Sequence, residues 1–428
     1  MKNIMTQIIG KVGILVLVLA IGMSSCADKE TSIYNPNYNA PNPDPVITSI
    51  EPASGYLAGI DKIVINGQNF IADTVTTRVY FDGLPGVTLK ATPTQLEVRP
   101  SAFAIGNPLV VKAVVIGAEN FSNEFNYRID SPIIRLPGVN DSDEPWAVTL
   151  DKDGNVYTHL LRDGTDFGIQ KYNPITEEIT SFQSPPSSAS RVLRWNALKF
   201  GPDGFLYGVR SNRAIFKTDG GVKAFVTTKT IASGSLVDLD FDKNGDLWVV
   251  GSTPNVFRLD MSNPAVNNTS VANPTELTTI QGIRIVNDTV YLLGVKGTAI
   301  TGTNVQIWKY TLDNTNSLTN GEMLVSLTDA TNISSIEAFS MTVSIDNNLY
   351  VGVNSSNGIL KVSPTGTISI LYPGIVQTRI INMAWDSSRT LYIIAEETSN
   401  RDGIVLTNQR IFELNMLEQR TAVYHGIE

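Results

Sequence analysis

Asn196-Ala197-Leu198-Lys199-Phe200-Gly201-Pro202-Asp203-Gly204-Phe205-Leu206-Tyr207 reads as an apolar strand, a tight Pro-Asp-Gly turn, and a second strand opening on an aliphatic-aromatic pair. The arrangement recurs. It appears earlier as Trp146-Ala147-Val148-Thr149-Leu150-Asp151-Lys152-Asp153-Gly154-Asn155-Val156-Tyr157, and later as Val237-Asp238-Leu239-Asp240-Phe241-Asp242-Lys243-Asn244-Gly245-Asp246-Leu247-Trp248. Residues 283–291, 341–350 and 382–392 carry three further copies, two of them with shorter turns. The aromatic anchors Tyr157, Tyr207, Trp248, Tyr291, Tyr350 and Tyr392 are therefore spaced by 50, 41, 43, 59 and 42 residues.

Repeats of this length, each an alternating all-β unit, describe the blades of a propeller rather than a sandwich. Further strands follow each anchor, such as Ile169-Gln170-Lys171-Tyr172 and Ile307-Trp308-Lys309-Tyr310, so six copies of about four strands fill the region without a helix. The units resemble NHL-type repeats. That resemblance implies a six-bladed β-propeller over residues 131–428.

Residues 45–130 have a different rhythm. Val46-Ile47-Thr48-Ser49-Ile50-Glu51-Pro52-Ala53-Ser54-Gly55 starts as a strand and ends in a turn, and Asn66-Gly67 predicts another turn. Strands at Arg78–Phe81, Gln95–Val98, Leu109–Val115 and Phe121–Tyr127 complete a small β-sandwich. The Ile-Glu-Pro-Ala-Ser-Gly opening, the Ile-Asn-Gly-Gln-Asn-Phe core, Val79-Tyr80-Phe81-Asp82-Gly83 and the closing Phe125-Asn126-Tyr127 resemble an IPT/TIG immunoglobulin-like domain. The resemblance implies a spacer in front of the propeller.

The chain begins with positive charge at Lys2 and Lys11, a short apolar run over residues 12–22, then Met23-Ser24-Ser25-Cys26. That run is too short to span a bilayer. It resembles a lipoprotein signal peptide over residues 1–25, with Cys26 lipidated, although an ordinary cleaved secretory signal would give Cys26 no such role. Cys26 is the one cysteine, which excludes disulfides and thiolate metal sites. Ala27-Asp28-Lys29-Glu30 resembles the export tag of Bacteroidetes-type surface lipoproteins, and residues 26–44, rich in Pro and Asn, read as an extended tether. Formal net charge is −9, with no basic stripe for nucleic acid. The expected address is the outer membrane, facing outward, with the lipid at Cys26 as the membrane contact.

Chemistry is sparse. The Asp-rich loops at Asp151 and Asp242 place glycine fourth, not sixth as an EF-hand requires, and read as hairpin turns. His159 and His425 are the only histidines, and neither stands beside a nucleophile motif. Trp146 and Trp195 open inner strands beside Arg194 and Arg210, so these four residues are the candidate ligand platform. Trp248, Trp308 and Trp385 fall at positions expected in the core.

Gluconolactonase-type propellers hold a divalent cation with Glu, Asn and Asp around the channel. That resemblance nominates Glu144, Asn196, Asp238, Glu337 and Asn382 for calcium or magnesium. They stand 13, 11, 10, 13 and 10 residues before their anchors, so they need not share a depth. The reading favoured is a non-catalytic surface lipoprotein that binds extracellular glycan for a polysaccharide-utilisation system, without a cofactor. The alternatives are a cation-dependent hydrolase or lactonase and an envelope protein-interaction scaffold.

Overall fold

The computed structural model describes residues 39–185, 194–220, 226–230, 234–259, 270–272, 277–297, 304–331, 336–354, 356, 358–386, 389–401 and 404–416. Cys26, the signal peptide, most of the tether and His425 lie outside them. The architecture is all-β: an immunoglobulin-like sandwich followed by a six-bladed propeller.

Two sheets form the sandwich. One joins Val46–Glu51, Ile63–Gln68, Gln95–Arg99 and Val87–Ala91; the other joins Tyr56–Leu57, Phe125–Asp130, Gly106–Val115, Thr77–Phe81 and Leu84–Pro85. Alternate residues turn inward, so Ile63, Ile65, Val79, Phe81, Leu96, Val98, Val111 and Ala113 meet in one core with no exposure. The Tyr127 hydroxyl donates to the Pro52 carbonyl at 2.7 Å. Burial pushes that phenol up to about 12. The expected turn at Asn66-Gly67 is absent. Gly67 lies inside a strand, where a Cβ would stand 2.1 Å from the Val46 carbonyl oxygen. The glycine serves close approach of two strands.

Six four-stranded sheets follow, with inner strands Asp143–Leu150, Trp195–Phe200, Leu236–Phe241, Thr279–Val286, Ala338–Val343 and Ile380–Trp385. Each inner strand packs on the next, and the sixth packs on the first, which closes the ring. Blade 6 takes its outermost strand, Ile133–Arg135, from the segment just after the sandwich, paired antiparallel to Ile404–Asn415. A single short helix, Leu327–Thr331, lies between blades 4 and 5 among the described residues.

The aromatic anchors have a mechanical reason. The Asp151 carboxylate accepts the Asp153 and Asn155 amides at 2.9 Å each, and also the Tyr157 hydroxyl at 2.9 Å. Asp242 repeats this with the Asn244 amide and the Trp248 indole, both at 2.8 Å. The loop carboxylates are therefore spent on their own turns, as the hairpin reading expects. Between blades, apolar side chains such as Leu239, Ile283 and Met341 fill the seams with little exposure.

Candidate functional site

All six inner strands carry the same irregularity. Their ladders with the second strand slip between Pro145 and Val148, Trp195 and Ala197, Leu236 and Asp238, Ile280 and Gly282, Ala338 and Ser340, and Ile380 and Asn382. Such a bulge leaves a residue out of the ladder and re-aims its side chain. The residues so displaced include Trp146, Asn196, Val237, Gln281, Phe339 and Ile381. All six are half-buried, although the strands that carry them are otherwise largely buried. They form a ring where the inner strands begin, at one mouth of the channel.

Two aromatic members of this ring carry guanidinium groups. Arg194 of blade 2 lies 3.9 Å from the ring centre of Trp146 on blade 1, and Arg379 of blade 6 lies 4.1 Å from that of Phe339 on blade 5. The offsets match. Each aromatic precedes its anchor by 11 residues and each arginine by 13. Arg194 is exposed, and no carboxylate among the described residues pairs with it, whereas Arg379 is tied to Glu396 at 2.8 Å. The Trp146 indole nitrogen and the Gln281 amide oxygen are enclosed without hydrogen-bond partners among the described residues.

The other half of the expected platform is not on the surface. Trp195 has no exposure and Arg210 is 3% exposed, stacked on Trp195 at 4.2 Å. The strand ends carry both into the seam between blades 1 and 2. There they meet His159, whose Nε2 stands 3.0 Å from Asp166 Oδ1. Burial pushes His159 below its ordinary value, against the opposing pull of Asp166. Trp195 and Arg210 are thus a cation–π contact buried within the seam, not an exposed platform.

The five residues nominated for a cation are not assembled for one. Asp238 accepts Arg284 Nη1 at 2.6 Å and the amides of Ile283 and Leu239 at 3.0 and 2.9 Å. Asn196 donates to the Leu236 carbonyl at 2.6 Å; Asn382 accepts the Val148 amide at 3.3 Å and donates to the Asn196 carbonyl at 3.2 Å. The inner strands are open edges toward the channel, and these side chains satisfy unpaired backbone groups on their own and other blades. Glu144 is half-buried and Glu337 is exposed at the rim. A cation at Asp238 would face the Arg284 guanidinium, so the residues present do not fit the group. Among the described residues no cluster of three or more His, Cys, Asp or Glu side chains suits a metal.

Sequence reading missed two features. One is the bulge ring beyond Trp146 and Asn196. The other is an ion cluster deeper in the channel, in which Lys199 pairs with Asp240 while Arg284 pairs with Asp238. Burial holds Lys199 below its ordinary value while Asp240 pulls it back, with Arg284 adding to the depression. The signal was present in sequence. Lys199, Asp240 and Arg284 are charged residues directly opposite the anchors Tyr207, Trp248 and Tyr291 in the ladders, at positions where blades 1, 5 and 6 have Thr149, Thr342 and Ala384.

Residues 45–129 match the IPT/TIG domain family. The sandwich is therefore an IPT/TIG domain. No curated protein matches the chain. A putative phosphatase from Bacteroides thetaiotaomicron VPI-5482 is similar in structure, with a TM-score of 0.51 at 15% identity over 90% of this chain and 99% of that one. An auxiliary nutrient binding protein from the same organism gives a TM-score of 0.47 at 13% identity over 89% and 99%. A gluconolactonase from Xanthomonas campestris gives 0.47 at 13% identity over 66% of this chain and 89% of that one. At such identities the likeness concerns fold alone.

Proposed function

We propose that the chain is an outer-membrane lipoprotein, anchored through Cys26, that holds extracellular glycan at the propeller mouth as part of a polysaccharide-utilisation system. The observation that carries this reading is the exposed Arg194 stacked on the half-buried Trp146 in the ring of bulge residues. A sugar offers an apolar CH face and a rim of hydroxyls. Trp146 and Phe339 supply apolar ring surface, and Arg194 supplies donors. Such a mixture of apolar surface and a few convergent polar groups suits a small-molecule or oligosaccharide site.

Affinity gels containing a panel of polysaccharides test the reading. Wild-type protein should be retarded by at least one glycan, and both Trp146→Ala and Arg194→Ala should lose most of that retardation. Each variant removes one partner of a cation–π pair, for which a loss of about 1 kcal/mol is typical, and Trp146→Ala also removes ring surface. Migration of Trp146→Ala identical to wild type in every retarding gel overturns the proposal. Cys26→Ser should abolish incorporation of labelled palmitate, and unchanged labelling rules out the anchor.

A further inference from the structure

Blade 6 breaks the symmetry of the ring. Its second and third strands, Thr390–Arg401 and Ile404–Asn415, have 12 residues each, whereas the second strands of the other blades have five to eight. In blades 1, 2, 3 and 5 the second strand ends level with the start of its inner strand, and in blade 4 it runs one residue further. In blade 6 the inner strand starts at Ile380, opposite Ala395, and the hairpin continues for six more pairs, from Glu396–Gln409 to Arg401–Ile404. At about 3.3 Å per residue those pairs carry the hairpin roughly 20 Å past the blade.

Topology fixes the side on which it projects. The inner strands begin at the mouth, so a second strand that overruns the start of its inner strand leaves the ring on the mouth side. Among the described residues no strand pairs with the outward edges of residues 397–401 and 404–409. Those edges keep backbone donors and acceptors open. A two-stranded ribbon is marginal on its own in water, and this one adds nothing to the seams that hold the blades together.

The foot of the ribbon is braced into the mouth. Arg379, which stacks on Phe339 of the bulge ring, donates to Glu396 Oε1 at 2.8 Å, and the Glu396 amide donates to the Arg379 carbonyl at 3.0 Å. On the other strand, Arg410 is 3% exposed and donates to the carbonyls of Asp141 and Asp143 at 2.9 Å each, just ahead of Trp146 in blade 1. Glu397 Oε2 stands 3.5 Å from Arg410 Nε. Two guanidinium groups thus fix the foot between the blades that carry Phe339 and Trp146.

We propose that this ribbon is a side wall of the mouth and that the glycan held there is an extended chain, whose further sugar units run along the projecting strands. The inference rests on glycan binding at the mouth, as proposed above. Hydroxyl-rich units suit an open strand edge, whose unpaired amides and carbonyls donate to and accept from them.

Isothermal titration of the full-length protein tests this, using a polysaccharide that retards the wild type in affinity gels and the disaccharide cut from it. The wild type should bind the polysaccharide about tenfold or more tighter than the disaccharide. A variant in which Asn-Gly replaces residues 398–407 joins Glu397 to Asn408 by a two-residue turn and keeps both braces. It should lose the advantage for the polysaccharide and bind the disaccharide as the wild type does, whereas Trp146→Ala should weaken both. Unchanged polysaccharide affinity in the shortened variant overturns the inference and assigns the ribbon to a protein partner. Equal loss of both ligands also overturns it, because the ribbon then only props the mouth. Hydrogen exchange in the wild type gives an answer that does not depend on the variant folding: the polysaccharide should slow the amides of residues 397–408, and unchanged exchange there overturns the inference. Failure of every polysaccharide to retard the wild type is a separate result, which removes the mouth reading itself and this inference with it.

Discussion

His159 and Asp166 show how much of this protein's polar chemistry is spent on packing. Burial pushes His159 below its ordinary value of 6.5. The unfolded chain therefore takes up a proton at a higher pH than the folded protein does. Below about pH 6.5 the unfolded state binds more protons, so stability falls as pH drops. Burial pushes Asp166 up, but the hydrogen bond from His159, its charge, the Gly168 amide and Arg210 together hold it below 3.8. Its contribution is lost in the same direction, at lower pH. Thermal melts of His159→Gln should show a flatter dependence below pH 6.5 than wild type; an unchanged slope would rule out this histidine as the source. A second residue test concerns the anchors. Trp248→Phe removes the indole donor from Asp242, which has no exposure, and should cost roughly 1–3 kcal/mol in a denaturant titration. A cost near zero would show that the anchors act through ring packing alone.

Strands and turns were legible because each blade obeys local rules. An apolar alternation, a polar turn and an aromatic anchor repeat six times, with glycine in the turn of the first three copies, and the structure places the strands as read. The bulges were not legible. A residue displaced from a ladder looks, in sequence, like any other member of an alternating strand, so Trp146 and Trp195 appeared equivalent. They differ by a single ladder position: Trp146 falls within the slip and emerges half-buried, while Trp195 pairs with Arg210 and is enclosed. The same blindness applied to Asn66-Gly67, whose dipeptide signals a turn but whose glycine is required by a neighbouring strand. Gly67→Ala should destabilise the IPT/TIG domain by roughly 1–3 kcal/mol, because the clash is with backbone and cannot be relieved by a rotamer change. Equilibrium unfolding of the variant checks this, and wild-type stability would contradict the close approach.

The ring as a whole was expected from six repeats, but its manner of closing was not. Repeat counting assigns each strand to the blade that follows it in sequence, and Ile133–Arg135 carries no anchor to identify it. Its partners settle its place: Ile133 lies opposite Leu414 and Arg135 opposite Phe412, extended by the Leu136 amide to the Ile411 carbonyl at 2.9 Å. A chain starting at Ser131 should fold as a cooperative propeller, whereas one starting at Pro137 should aggregate or melt well below it. Equal melting temperatures would show that the ring closes without this strand.

That arrangement also fixes where a mechanical load would travel. The closing strand is the first piece of the propeller after the IPT/TIG domain, so any tension along the N-terminal side enters the ring at residues 132–136. Under the proposed anchoring and ligand binding, the pull would fall lengthwise on three paired residues, in shear, before it reached any other blade. The grip of the mouth on its ligand and the integrity of the ring would then share one weak link, and single-molecule extension should register it as the first rupture in the propeller.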